Sequence, residues 1–122
     1  MSELMGIARF KFHEGKVEEF KRLAVECQEI VLAQDTGTLQ YDVYFNADES
    51  EAIVIERYRD SEALIEHGEH LADYMAPILA TAQVYGELLG EPNADLRARL
   101  GDGGPVQLFT PFLSMARPGP PA

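Results

Sequence analysis

The chain has 122 residues, enough for one domain and an appended arm. Hydrophobic residues make up 46% and charged residues 25%, an ordinary balance for a globular protein with a modest core. Ten basic residues face 21 acidic ones, and the net charge of −11 repels phosphate backbones and anionic lipid, which argues against nucleic-acid and membrane partners.

Cys27 is the single cysteine, so no intramolecular disulfide or thiolate metal cluster can form; its helical spacing suits a small core residue. No N-terminal apolar run reads as a signal peptide, and no stretch approaches the ~20 apolar residues of a membrane span. The expected compartment is the cytoplasm. Gly-x-Gly-x-x-Gly, Walker, Gly-x-Ser-x-Gly and Cys-x-x-Cys patterns are all missing, so no nucleotide, flavin or thiol cofactor is expected.

From residue 4 to residue 12 the chain alternates. Leu4, Gly6, Ala8, Phe10 and Phe12 fall on one side, Arg9 and Lys11 on the other, which predicts a half-buried strand. His13, Glu14 and Gly15 turn the chain, and the period then changes. Val17, Phe20, Leu23, Ala24, Cys27, Ile30, Val31 and Gln34 follow a three-four spacing opposite Glu18, Glu19, Lys21, Arg22 and Glu26. This predicts an amphipathic helix of about five turns. Asp35, Thr36 and Gly37 stop it, with Gly37 suited to a left-handed position near the C-cap. Leu39, Tyr41, Val43 and Phe45 mark a second strand. A polar turn over residues 46–50 leads to a third at residues 52–58, and so short a connection implies an antiparallel hairpin. A helix over about residues 61–74 follows, its first N–H groups capped by Asp60 or Ser61. Ala76 and Pro77 open a short helical or irregular piece, and residues 83–89 have strand character.

The order β-α-β-β-α-β is the ferredoxin-like split βαβ pattern of an α+β domain, spanning residues 1–90. Its helices cover one sheet face. The other needs cover, which predicts a homodimer packed sheet against sheet. Residues 91–122 read as an extension. Residues 92–100 form a short helix started by Asn93 or Asp95, residues 102–105 break it, and residues 106–112 form an apolar extended arm. Residues 117–122 have the composition of an unstructured end. The arm is expected to dock first on the partner subunit, and second on the chain's own pocket rim.

His67 shares a helix face with Leu64, Leu71 and Tyr74, the face that should meet the sheet. Burial there would depress its pKa and keep it neutral, able to accept a proton. The alternative is a core histidine bonded to backbone or to Tyr58. His70 reads as the partner of Glu66 in a surface ion pair. The His67-x-x-His70 spacing also suits a metal but lacks a third ligand in a clear motif, so no metal is expected. Glu56 and Tyr58 share the parity of Val54. Glu56 either faces the helices, where it could orient His67 or bond a tyrosine, or sits at the rim beside Arg9 or Arg57. The five tyrosines at 41, 44, 58, 74 and 85 pack core and interfaces, or line a pocket for a flat aromatic ligand.

The run from Ile55 through Glu56, Arg57, Tyr58, Arg59, Asp60, Ser61 and Glu62 to His67, with His70 after it, resembles the antibiotic biosynthesis monooxygenase domain. The strand-helix order of residues 3–89 is similar to that family throughout. The tail from Gly90 to Leu96-Arg97, Gly104-Pro105-Val106 and Phe109-Thr110-Pro111-Phe112 resembles an extension on some of its quinol monooxygenases. The resemblance implies a dimeric α+β barrel with a small pocket in each subunit between sheet and helices. It implies oxygenation of a quinol or polyphenol by O2 without cofactor, with His67, Tyr58 and Glu56 catalytic and Tyr74, His70, Leu71 and Phe10 binding the substrate. His67 would be the base. The chain departs from the family in having no tryptophan: Tyr58 stands where many members carry one. The Asn, Trp and His set of the haem-degrading branch cannot be completed. A non-catalytic binder of small aromatic ligands and a dimeric stress or signalling module are the other readings of the same fold.

Overall fold

The computed structural model describes residues 3–101 and 103–115. Along these the elements are β1 (Leu4–Phe12), α1 (Val17–Gln34), β2 (Thr38–Phe45), β3 (Glu51–Tyr58), α2 (Ser61–His70), α3 (Ala72–Leu79), β4 (Ala82–Leu89), α4 (Ala94–Leu100) and β5 (Val106–Phe109). The sheet order is β2-β3-β1-β4-β5. The first four strands are antiparallel, the ferredoxin-like arrangement, and β5 adds a parallel strand at the β4 edge.

Strand alternation sorts the side chains. Ala8, Phe10 and Phe12 of β1, Val43 and Phe45 of β2, and Ala52 and Val54 of β3 meet Phe20, Leu23, Cys27 and Val31 of α1. Phe10, Phe12, Phe20 and Phe45 stack with neighbouring centroids 4.8 to 6.2 Å apart. The fully buried Phe10 and Phe20 each stabilise the fold by roughly 1.5–3 kcal/mol, and the half-buried Phe12 and Phe45 by less. A second cluster of Leu4, Tyr58, Ala63, Leu88 and Leu96 joins α4 to α2 and the sheet. Asp60 caps α2 by accepting the Ala63 N–H at 2.9 Å, and Asn93 caps α4 by accepting that of Leu96 at 2.9 Å. Ser61 instead accepts the Asn93 N–H at 2.9 Å, so it ties the tail to α2.

Three local expectations give way to longer-range packing. Gly37 is not left-handed; Asp35 ends α1 in an extended conformation. Gly37 is needed for close approach, since a Cβ there would lie 2.5 Å from that of Ala63. Its carbonyl also accepts the Arg59 N–H at 2.9 Å, which joins the start of β2 to the β3–α2 turn. A register shift between Thr38 and Gln40 turns Leu39 outward, away from the face of Tyr41. The second helix breaks at buried Leu71, and the new helix α3 carries Pro77 inside it, not at its start.

The four residues of β5 lie on this chain's own β4, with Gly86 opposite Val106 and Leu89 opposite Phe109. Val106 of this strand lines the rim of the chain's own pocket. Phe112 and Leu113 beyond the strand are exposed. Asp102 and the Pro-rich end at residues 117–122 lie outside the described residues. The sheet face away from the helices carries half-buried Met5, Ile7, Ile53 and Ile55, with an Arg9–Glu87 ion pair at 3.4 Å among them. No helix among the described residues is long and apolar enough to cross a membrane.

Candidate active site

β3 parity sends Glu56 and Tyr58 to the helical face, where a carboxylate leaves water and needs donors. The Tyr58 hydroxyl donates to Glu56 Oε1. His67, reaching in from α2, places Nε2 3.4 Å from the same oxygen. Its other nitrogen, Nδ1, lies 2.8 Å from Asp35 Oδ2 at the end of α1. Asp35 Oδ1 meets His70 Nδ1 at 2.6 Å, and the Thr38 hydroxyl donates to Oδ2 at 2.7 Å. The rings of Tyr41 and Tyr58 flank His67 edge-on at 5.3 and 5.2 Å.

These contacts reverse one expectation. Burial alone pulls the His67 pKa down, but hydrogen bonding and charge from Glu56 and Asp35 outweigh it, and the pKa lies above the usual histidine value. The two carboxylates thus favour the protonated ring over the neutral base that burial alone would give. Burial works against an ionised Asp35 too, yet its bonds from His70, Thr38 and His67 hold its pKa below the ordinary one. Burial first, and the Glu56 charge second, push the Tyr58 and Tyr41 phenols up, so both remain protonated. Burial also raises the Cys27 thiol to about 11, which rules it out as a thiolate nucleophile near neutral pH.

A cavity of about 660 Å³ opens beside this cluster. Its floor is bare sheet, because Gly6, Ala8 and Gly86 project little or nothing. Leu71, Met75 and Ile78 form the roof, and Leu96, Leu100 and Val106 of the tail close one side. Tyr41, Glu56, Tyr58 and His67 supply polar groups to a lining that is otherwise mostly apolar. Both contacts to Glu56 fall on Oε1; Oε2 has no hydrogen bond among the described residues.

Of the residues singled out from the sequence, His67, Tyr58 and Glu56 meet at the cavity wall, and Leu71 and Phe10 line the cavity. Tyr74 and His70 do not line it. The Tyr74 hydroxyl donates to Glu26 at 2.8 Å. His70 pairs with Asp35, not with Glu66, which instead accepts from the Thr36 N–H at 2.8 Å. Asp35, Glu66 and His70 do bring donor atoms within 4.8 Å of one another, near enough to hold a cation. Asp35 was missed, and Tyr41, offered only as one of five tyrosines for core or pocket, lines the cavity. Asp35 read only as a helix stop, while Tyr41 had a usable signal in its parity with Val43.

The model of the antibiotic biosynthesis monooxygenase family matches residues 4–74. The chain belongs to that family. MupZ from Pseudomonas fluorescens, 23% identical, shares the fold over 98% of both chains with a TM-score of 0.80, the tail included. Rv0793 from Mycobacterium tuberculosis is 28% identical with a TM-score of 0.65, covering 75% of this chain and 96% of that one. PA3566 from Pseudomonas aeruginosa is 27% identical with a TM-score of 0.63, covering 72% and 92%. No curated protein matches the sequence.

The two shifts define a pH window for this family member. His67 has a folded pKa above its unfolded one of about 6.5, so its stabilisation is full below that pH and fades as pH rises through the folded value. Asp35 has a depressed pKa, so its stabilisation is full above about pH 4 and is lost as pH falls through the folded value. Together they stabilise most between about pH 4 and 6.5. The His67 ring is expected to titrate by NMR with a midpoint above about 6.5, and Asp35→Asn should move that midpoint down. A wild-type midpoint at or below the ordinary histidine value contradicts the paired-imidazolium account.

Proposed function

We propose that the chain is a cofactor-independent monooxygenase that uses O2 to hydroxylate a quinol or polyphenol. The observation that carries this reading is the Glu56 carboxylate, open at Oε2, at the wall of a mostly apolar cavity of about 660 Å³. Specific small-molecule sites combine such an enclosure with a few placed polar groups. Membership in a monooxygenase family supports the reaction type.

The stoichiometry closes without a cofactor. A hydroquinone and O2 give a hydroxyquinone and water; one oxygen atom enters the ring, the other leaves as water, and the quinol supplies all four electrons. Glu56 Oε2, which has no hydrogen bond among the described residues, accepts the phenolic proton. The imidazolium of His67 and the Tyr58 hydroxyl then face the charge that develops on phenolate and reduced oxygen. The apolar walls keep bulk water from the oxygenated intermediate.

The open sheet face, with its isoleucines, is covered in this reading by a second copy of the chain, sheet against sheet. Sedimentation at micromolar concentration is expected to give a dimer; a monomer removes this part of the proposal.

Oxygen uptake with a panel of hydroquinones and no added cofactor tests the chemistry. The wild type should consume oxygen, and Glu56→Gln should lower the rate by about 100-fold or more, the usual contribution of a positioned base. Equal rates for the two proteins remove Glu56 as base. Ligand binding by the wild type without oxygen uptake favours a non-catalytic aromatic-ligand binder.

A further inference from the structure

Two carboxylates and two histidines alternate in one line: Glu56 and His67 meet as an ion pair at 3.4 Å, and hydrogen bonds of 2.8 and 2.6 Å join His67 to Asp35 and Asp35 to His70. It starts at Glu56 on the cavity wall, its side chain 19% exposed, and crosses His67 and Asp35, 8% and 1% exposed. It emerges at His70, which is 25% exposed. Every link joins an acid oxygen to a ring nitrogen, and each central residue uses a different atom for each neighbour. An imidazole can take a proton on one nitrogen and release one from the other, and a carboxylate can do the same with its two oxygens.

We infer that Glu56, His67, Asp35 and His70 form a proton relay that connects the cavity to solvent. Asp35 and His70 are positioning and transfer residues that act through His67. The surroundings keep the line intact. The Thr38 hydroxyl fixes the Asp35 carboxylate, while Tyr41 and Tyr58 wall in His67. At the outer end Glu66 stands with Asp35 and His70, their donor atoms within 4.8 Å of one another, and offers a second carboxylate for exchange with water.

Such a line answers a need of the proposed reaction, on which this part of the inference rests. A phenol loses its proton before oxygen adds, and two protons depart with the product water. The quinol itself gives up the two protons that the water carries, so no net exchange with solvent is required, but the relay lets Glu56 shed the phenolic proton before the reduced oxygen takes one up. The relay gives Glu56 an outlet through the protein, separate from the mouth of the cavity.

The test has one arm that needs no substrate. Exchange of the His67 Nδ1 proton with water is followed by NMR in the wild type, His70→Gln and His70→Ala. Glutamine can still donate to Asp35 but cannot pass a proton, so a merely structural role survives that change. The relay predicts several-fold slower exchange in His70→Gln and imidazole-dependent recovery in His70→Ala. Unchanged or faster exchange in His70→Gln, or no response of His70→Ala to imidazole, overturns it. In the second arm, with a quinol that the wild type oxidises, His70→Gln should slow steady-state oxygen uptake at low buffer, and imidazole should restore His70→Ala. If the wild type takes up no oxygen, the oxygenase reading fails while the exchange arm still decides the relay.

Discussion

One imidazole held between two carboxylates organises this molecule. Glu56 and Asp35 approach His67 from different elements, and each carboxylate at the edge of the apolar core finds a partner in it. Meeting that need fixes the end of α1, the start of β2 through Thr38, the outward half of β3 and the roll of α2 over the sheet. Breaking a buried charged group by removing one partner typically costs about 3–5 kcal/mol, so the same contacts that hold a proton in place also hold α2 to α1.

The cavity follows from a different economy of side chains. Gly6, Ala8 and Gly86 leave the sheet bare where a normal core would fill it, and the helices arch over the gap. The tail then completes the enclosure. Leu96 packs in the second cluster, and Leu96, Leu100 and Val106 line the cavity, so α4 and β5 belong to the site as much as to the fold. The match of MupZ over nearly the whole chain shows that the sheet, helices and tail can form one shared architecture.

Much of this was legible in local pattern. The period-two run of β1, the three-four spacing of α1 and the parity of Glu56 with Tyr58 carry enough information to order the elements and choose the buried face. What escaped was set by partners far along the chain. Asp35 is 32 residues from His67, and nothing in its own neighbourhood marks it as more than a helix terminator. Gly37 seemed to serve backbone conformation, but it answers to Ala63 across the fold. The direction of the His67 pKa shift was misjudged for the same reason: burial can be read from a helix face, whereas the two carboxylates that outweigh it come from the end of α1 and from β3. His70 and Tyr74 were placed in the pocket by the family resemblance, and both find acidic partners elsewhere.

The central claim is that Glu56 Oε2 is the polar contact for a substrate held over the bare floor of the cavity. A crystal structure of the protein with a bound hydroquinone or related polyphenol tests it most directly. The account predicts the ring between Gly6, Ala8 and Gly86 below and Leu71 above, with a phenolic oxygen within hydrogen-bonding distance of Glu56 Oε2. A ligand bound outside the cavity, or inside it with its hydroxyls directed away from Glu56, would contradict the account.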